Sequence, residues 1–94
     1  MKTLTLPVKG VYFHQIKDGA KLEEYRLCTP YWKKRLDGKT YDRIVLTLGY
    51  PKQTADDRRL TRAWAGWTIK TITHPHFGAA PVQVYAIDVT KEVK

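Results

Sequence analysis

The sequence predicts a small α+β domain in which about five short strands and one or two short helices build a closed or nearly closed sheet. Three observations lead there. Apolar residues alternate with period two in short runs between Leu4 and Val89, turn-forming Gly and Pro residues separate those runs, and 94 residues leave room for one core only. A chain of this size buries roughly 60–65% of its unfolded surface, so any cleft is shallow. Closure of the sheet removes exposed strand edges, which is why many short strands in a small chain favour it.

The elements follow in order. Leu4, Leu6 and Val8 alternate with Thr3, Thr5 and Pro7, a strand with one buried face. Pro7 has no N–H for a ladder, so the strand ends there or lies at an edge. From Gly10, the residues Val11, Tyr12, Ile16 and the small Ala20 recur at helical spacing, and Asp18-Gly19 supplies a helix stop and turn. Leu22 to Cys28 reads as a second strand, with Glu24 and Arg26 on one face and Glu23 and Tyr25 on the other. Lys21 stands at the mouth of this strand, free to turn to either face. Thr29-Pro30 caps and opens a short helix, Tyr31 to Leu36, ended by Asp37-Gly38.

Asp42 to Tyr50 is the clearest strand, and Tyr50 to Leu60 is a polar loop containing Pro51, Gln53, Thr54, Asp56, Asp57, Arg58 and Arg59. Arg62 to Thr73 reads as one strand bulged at Gly66, between Trp64 and Trp67. Thr73 to Gly78 is a turn, and Val82 to Val89 is the last strand before a charged tail. His74 and His76 in the turn have no Cys or third His nearby, so no metal is expected. No cofactor is expected either.

Seventeen Lys and Arg against nine Asp and Glu give a net charge of +8. Such a surplus attracts polyanions, and nucleic acid is the usual one in a cell. An anionic membrane surface ranks below it for want of a basic amphipathic helix. No apolar run approaches the ~20 residues of a membrane span. The residues before Val8 read as a strand and not as a secretory leader. The lone Cys28 excludes an internal disulfide and fits a reducing cytoplasm. A monomer is expected.

Two stretches carry candidate chemistry. Lys21, Glu24 and Arg26 place charges of both signs within six residues, either as a salt-bridged strand edge or as a site. Tyr31, Trp32, Lys33, Lys34 and Arg35 put two flat rings beside three cations, the composition that stacks bases and pairs phosphates. Tyr50, Arg58 and Arg59 extend that set. The alternative keeps Trp32 and Leu36 on the core and the cations in solvent, and the two are compatible.

Gly19-x-Lys21-x-x-Glu24-x-Arg26 resembles the G-x-K-x-x-E-x-R signature of the ASCH domain family, within the PUA-like group. The order of first strand, helix Tyr12-Phe13-x-x-Ile16-x-x-Gly19 and motif strand is similar too. Thr29 to Leu36 and Gly49-Tyr50-Pro51 look like a small phage- and bacteria-associated branch. The resemblance spans nearly the whole chain. It implies a small PUA-like β-barrel of residues 1–94 with a cleft beside the helix, into which the motif residues point. It also implies recognition of RNA or a modified pyrimidine nucleoside. Some members are hydrolases, one branch removing the acyl group of acylated cytidine and another member cleaving single-stranded RNA. In the acylcytidine amidohydrolases a Lys at the position of Lys21 acts with a Thr where this chain has Glu24, and with a later Glu. Here the only later glutamate is Glu92, with Asp56, Asp57 and Asp88 as carboxylate substitutes. The expected site is therefore Lys21, Glu24 and Arg26, with Glu24 itself supplying the carboxylate. The alternatives are a non-catalytic module for single-stranded RNA and a ribonuclease.

Overall fold

In a computed structural model of the chain, residues 2–50 and 56–93 are described. Pro51, Gln53 and Thr54 of the expected polar loop lie outside them. The order is β1 (Thr3–Val8), α1 (Gly10–Lys17), β2 (Glu23–Leu27), α2 (Pro30–Leu36), β3 (Arg43–Leu48), β4 (Arg59–Ala63), β5 (Trp67–His74) and β6 (Gly78–Asp88). Short 3-10 turns at Asp56–Arg58 and Pro75–Phe77 precede β4 and β6. It is an α+β fold.

Among the described residues six strands form two three-stranded sheets, β1-β3-β4 and β2-β6-β5. In the first, β1 runs parallel to β3 with Leu4 opposite Ile44 and Leu6 opposite Leu46, and β4 returns antiparallel. The second is antiparallel throughout. One core lies between them, where Leu4, Leu6, Val8, Ile44, Leu46, Tyr85 and Ile87 meet Phe13 and Ile16 of α1 and Leu36 of α2. The alternation read in β1 is observed, with Leu4, Leu6 and Val8 all buried. In α1 the buried pair is Phe13 and Ile16, whereas Val11, expected on the apolar stripe, is 58% exposed.

Two expectations are corrected. The single bulged strand from Arg62 to Thr73 is two strands in different sheets. Gly66 has φ +82°, a left-handed turn that only glycine takes at no cost, and it sends the chain from one sheet to the other. The Gly66 carbonyl accepts from the Asp88 N–H there, and Trp64 and Trp67 both pack against the core. The second correction concerns closure. Among the described residues no ladder joins the two sheets into one closed barrel.

The seam between edge strands β1 and β2 explains the gap. Pro7 can donate nothing to a neighbouring strand, and its carbonyl accepts instead from Arg26 Nη2 at 2.8 Å. A side chain of β2 thus reaches the edge of β1 in place of a backbone ladder, and a cleft stays open beside it.

Candidate functional site

The two core-side charges of β2 are set by register. Glu24 is opposite Ile87 and Arg26 opposite Tyr85. Directly opposed residues share a face of the sheet, so the face of β6 that buries Ile87 and Tyr85 carries a carboxylate and a guanidinium on its neighbour. Glu24 is only 6% exposed. Its Oε1 accepts the Tyr25 N–H at 3.1 Å, and its Oε2 lies 3.7 Å from Arg26 Nη2. The Arg26 Nε is buried with no hydrogen-bond partner. Burial lowers the Arg26 pKa, an effect that the negative charge of Glu24 partly offsets.

Lys21 comes to the same cleft from the turn after α1. Its Nζ lies 4.4 Å from the centre of the Tyr25 ring and 5.2 Å from that of Tyr12. Among the described residues it makes no ion pair, and the aromatic faces hold the ammonium instead. Burial lowers the Lys21 pKa, while Glu24 and Glu23 pull it back and Arg26 lowers it further. Lys21, Glu24 and Arg26, expected together, line one pocket of about 120 Å³. That is far more than the ~10–15 Å³ a single water needs, and it suits a small planar group.

Tyr25 departs from expectation. Alternation turns it away from Glu24, yet its ring lines the pocket because Lys21 lies across it. Its hydroxyl donates to Glu23 Oε1 at 3.4 Å, and Lys70 Nζ of β5 meets that oxygen at 2.7 Å. Sequence reasoning also missed Tyr12, His74, His76 and Phe77, which line the far wall. The signal in the sequence is His-Pro-His-Phe at a turn between two strands, two histidines with no third ligand beside them. Among the described residues no group of three ligand-type side chains gathers there.

The later carboxylate implied by the resemblance is not in this wall. Asp57 is exposed, Asp88 Oδ1 accepts from the backbone and hydroxyl of Thr90, and Glu92 lines a separate depression beside Arg62. The side chain of Asp56 lies outside the described set.

Arg26 and Pro7 also line a second, larger groove of about 770 Å³, so pocket and groove adjoin at that hydrogen bond. Five more of the expected residues line this groove: Tyr31, Trp32, Arg35, Tyr50 and Arg59. The cap drawn from Thr29-Pro30 is present, Thr29 Oγ1 accepting the Trp32 N–H at 3.4 Å, and it presents α2 to the groove. The Arg35 guanidinium lies 4.5 Å over the Tyr31 ring, and that of Arg26 lies 5.2 Å over Trp32. Trp32 also packs on the core, so its core role is observed while its ring lines the groove. Lys33, Lys34 and Arg58 are exposed and outside the lining.

Neither family models, curated proteins nor solved structures match this chain.

The site is a small pocket rich in hydrogen-bond donors, holding one buried carboxylate and opening onto a groove of flat rings and cations. No helix among the described residues is long and apolar enough to cross a membrane.

Proposed function

We propose that the chain is an ASCH-type domain that takes an acylated cytosine base into the Lys21 pocket and hydrolyses its exocyclic amide. One observation carries this reading: a half-buried lysine held over two phenol rings shares a small pocket with a buried carboxylate. Amide hydrolysis needs a base for water and positive charge where the oxyanion forms. Glu24 is the base. It takes a proton from water as the oxygen attacks the acyl carbon, and returns it to the exocyclic nitrogen as the C–N bond breaks. The products are a carboxylic acid and the free amine of cytidine. The Lys21 ammonium faces the developing oxyanion, and Arg26 holds Glu24 by charge. Glu24 takes over the proton-transfer role for which the family's amidohydrolases use other side chains.

The test is chromatographic release of cytidine from N4-acetylcytidine. Turnover by the unmutated protein that Lys21→Ala lowers by at least about 10²-fold is expected. No cytidine from the unmutated protein sinks the reading.

The groove favours a second reading, a module that binds single-stranded RNA without chemistry. Rings and cations in one groove suit stacked bases and their phosphates. Affinity for oligonucleotides then falls by roughly 0.7 log unit per log unit of salt for each phosphate neutralised. Salt-independent binding counts against it.

A further inference from the structure

His74 is constrained from two sides. Its Nδ1 accepts the His76 backbone N–H at 3.1 Å, which caps the turn Pro75–Phe77. Its ring stands edge-on to Tyr12 at 5.8 Å and to Tyr25 at 6.3 Å, the two rings that hold Lys21 Nζ. A neutral imidazole that accepts at Nδ1 carries its proton at Nε2. The two nitrogens of the ring diverge, so Nε2 points away from the backbone that Nδ1 caps. Among the described residues that N–H meets no protein acceptor. The pocket lining thus includes, besides Lys21 and Arg26, an imidazole whose tautomer the turn bond sets.

We propose that neutral His74 donates its Nε2–H to the carbonyl oxygen of the ligand, next to Lys21. A neutral imidazole polarises a carbonyl by donating a hydrogen bond, with no proton changing hands. The identity of the carbonyl as an acyl oxygen rests on the hydrolase reading above; the contact itself requires no turnover. Sequence spacing gives no hint of it, because His74 reaches Lys21 across β6 and through rings from α1 and β2.

The contact is tested by side-chain nitrogen NMR of the full chain titrated with N4-acetylcytidine. The free protein is expected to show His74 protonated at Nε2, and acetylcytidine is expected to move that resonance. His74→Asn keeps an oxygen able to cap the turn but lacks the Nε2–H. It is expected to bind acetylcytidine about tenfold more weakly with an unchanged melting temperature. A proton on Nδ1, an Nε2 resonance unmoved at saturating acetylcytidine, or wild-type affinity in His74→Asn overturns the proposal. Cytidine release is scored separately. Acetylcytidine bound through Nε2 without release refutes the hydrolase reading and leaves the contact standing. Wild-type affinity together with full-rate release in His74→Asn refutes the contact and leaves the hydrolase. Absence of acetylcytidine binding by the unmutated protein overturns both.

Discussion

Lys21 Nζ rests 4.4 Å from the centre of the Tyr25 ring, a cation over a π face inside a pocket. Burial is the largest influence on this amine and puts its pKa below the ordinary 10.5. The ring acts the other way, because its face favours the charged form. Tyr25→Leu removes that face and is expected to lower the Lys21 pKa further. A side-chain NMR titration of Lys21 checks it, and an unchanged or raised value contradicts the role given to Tyr25.

Glu24→Gln separates chemistry from architecture. The amide keeps an oxygen for the Tyr25 N–H and nearly the same shape, but removes the negative charge beside Arg26. Breaking a fully buried pair costs about 3–5 kcal/mol. Here the Arg26 side chain is 20% exposed, the pair is 3.7 Å apart and the Pro7 carbonyl remains as a partner, so about 1–2 kcal/mol is expected. Release of cytidine is expected to fall by about 10²–10⁴-fold. Calorimetry with turnover tests this; a rate loss no larger than the stability loss explains would make Glu24 a wall residue.

The groove gives two variants with different signatures. Trp32 offers a flat face and Arg35 a charge. Trp32→Ala is expected to weaken single-stranded RNA binding by about 1–3 kcal/mol per stacked base with the salt slope intact. Arg35→Gln is expected to lower that slope by roughly 0.7. Lys34→Gln, on the same helix but outside the lining, is expected to change it less. Fluorescence anisotropy across a salt series distinguishes them, and equal slopes for Arg35→Gln and the unmutated protein refute the assignment.

Gly66 offers a test of the fold. Its φ of +82° is unfavourable for any residue with a Cβ, although the space around it is open. Gly66→Ala therefore acts through the backbone alone and is expected to destabilise the protein by about 1–2 kcal/mol. Urea unfolding measures it. An effect near zero would mean that the turn relaxes and does not fix the crossing between sheets.

The same residue marks where the sequence stops being legible. Alternation is a local signal that placed the inward residues of β1, but it names no partner strand. The run from Arg62 to Thr73 has strand character throughout, yet its two halves pair with β3 and β6 in different sheets. Parallel pairing of β1 with β3 across two helices is equally invisible to local spacing. The site divides in the same manner. Lys21, Glu24 and Arg26 were legible because six residues of one strand and its mouth hold all three. Tyr12 and His74 arrive from α1 and the end of β5, and only the folded chain brings them to Lys21.

Tyr85 ties the core to α2 and has a signature in alkali. Its hydroxyl donates to Asp37 Oδ1 at 2.8 Å, its ring stands edge-on to Trp67 at 4.8 Å, and burial with the Asp37 bond pushes its pKa up to about 12. The folded chain keeps this proton between pH 10 and about 12, where the unfolded chain has lost it. The resulting stability is fully present below pH 10 and disappears as the pH rises through about 12. Lys21, whose pKa is lowered, works in the opposite sense just below 10.5, so the comparison must be with a variant that changes Tyr85 alone. Tyr85→Phe is expected to cost about 1 kcal/mol at neutral pH, since water replaces the bond to the exposed Asp37. Its disadvantage should shrink between pH 10 and 12, because phenylalanine has no proton to lose. Urea unfolding of both proteins at pH 8, 10 and 11.5 measures this; a difference constant across that range would place the Tyr85 hydroxyl in contact with solvent and not in the core.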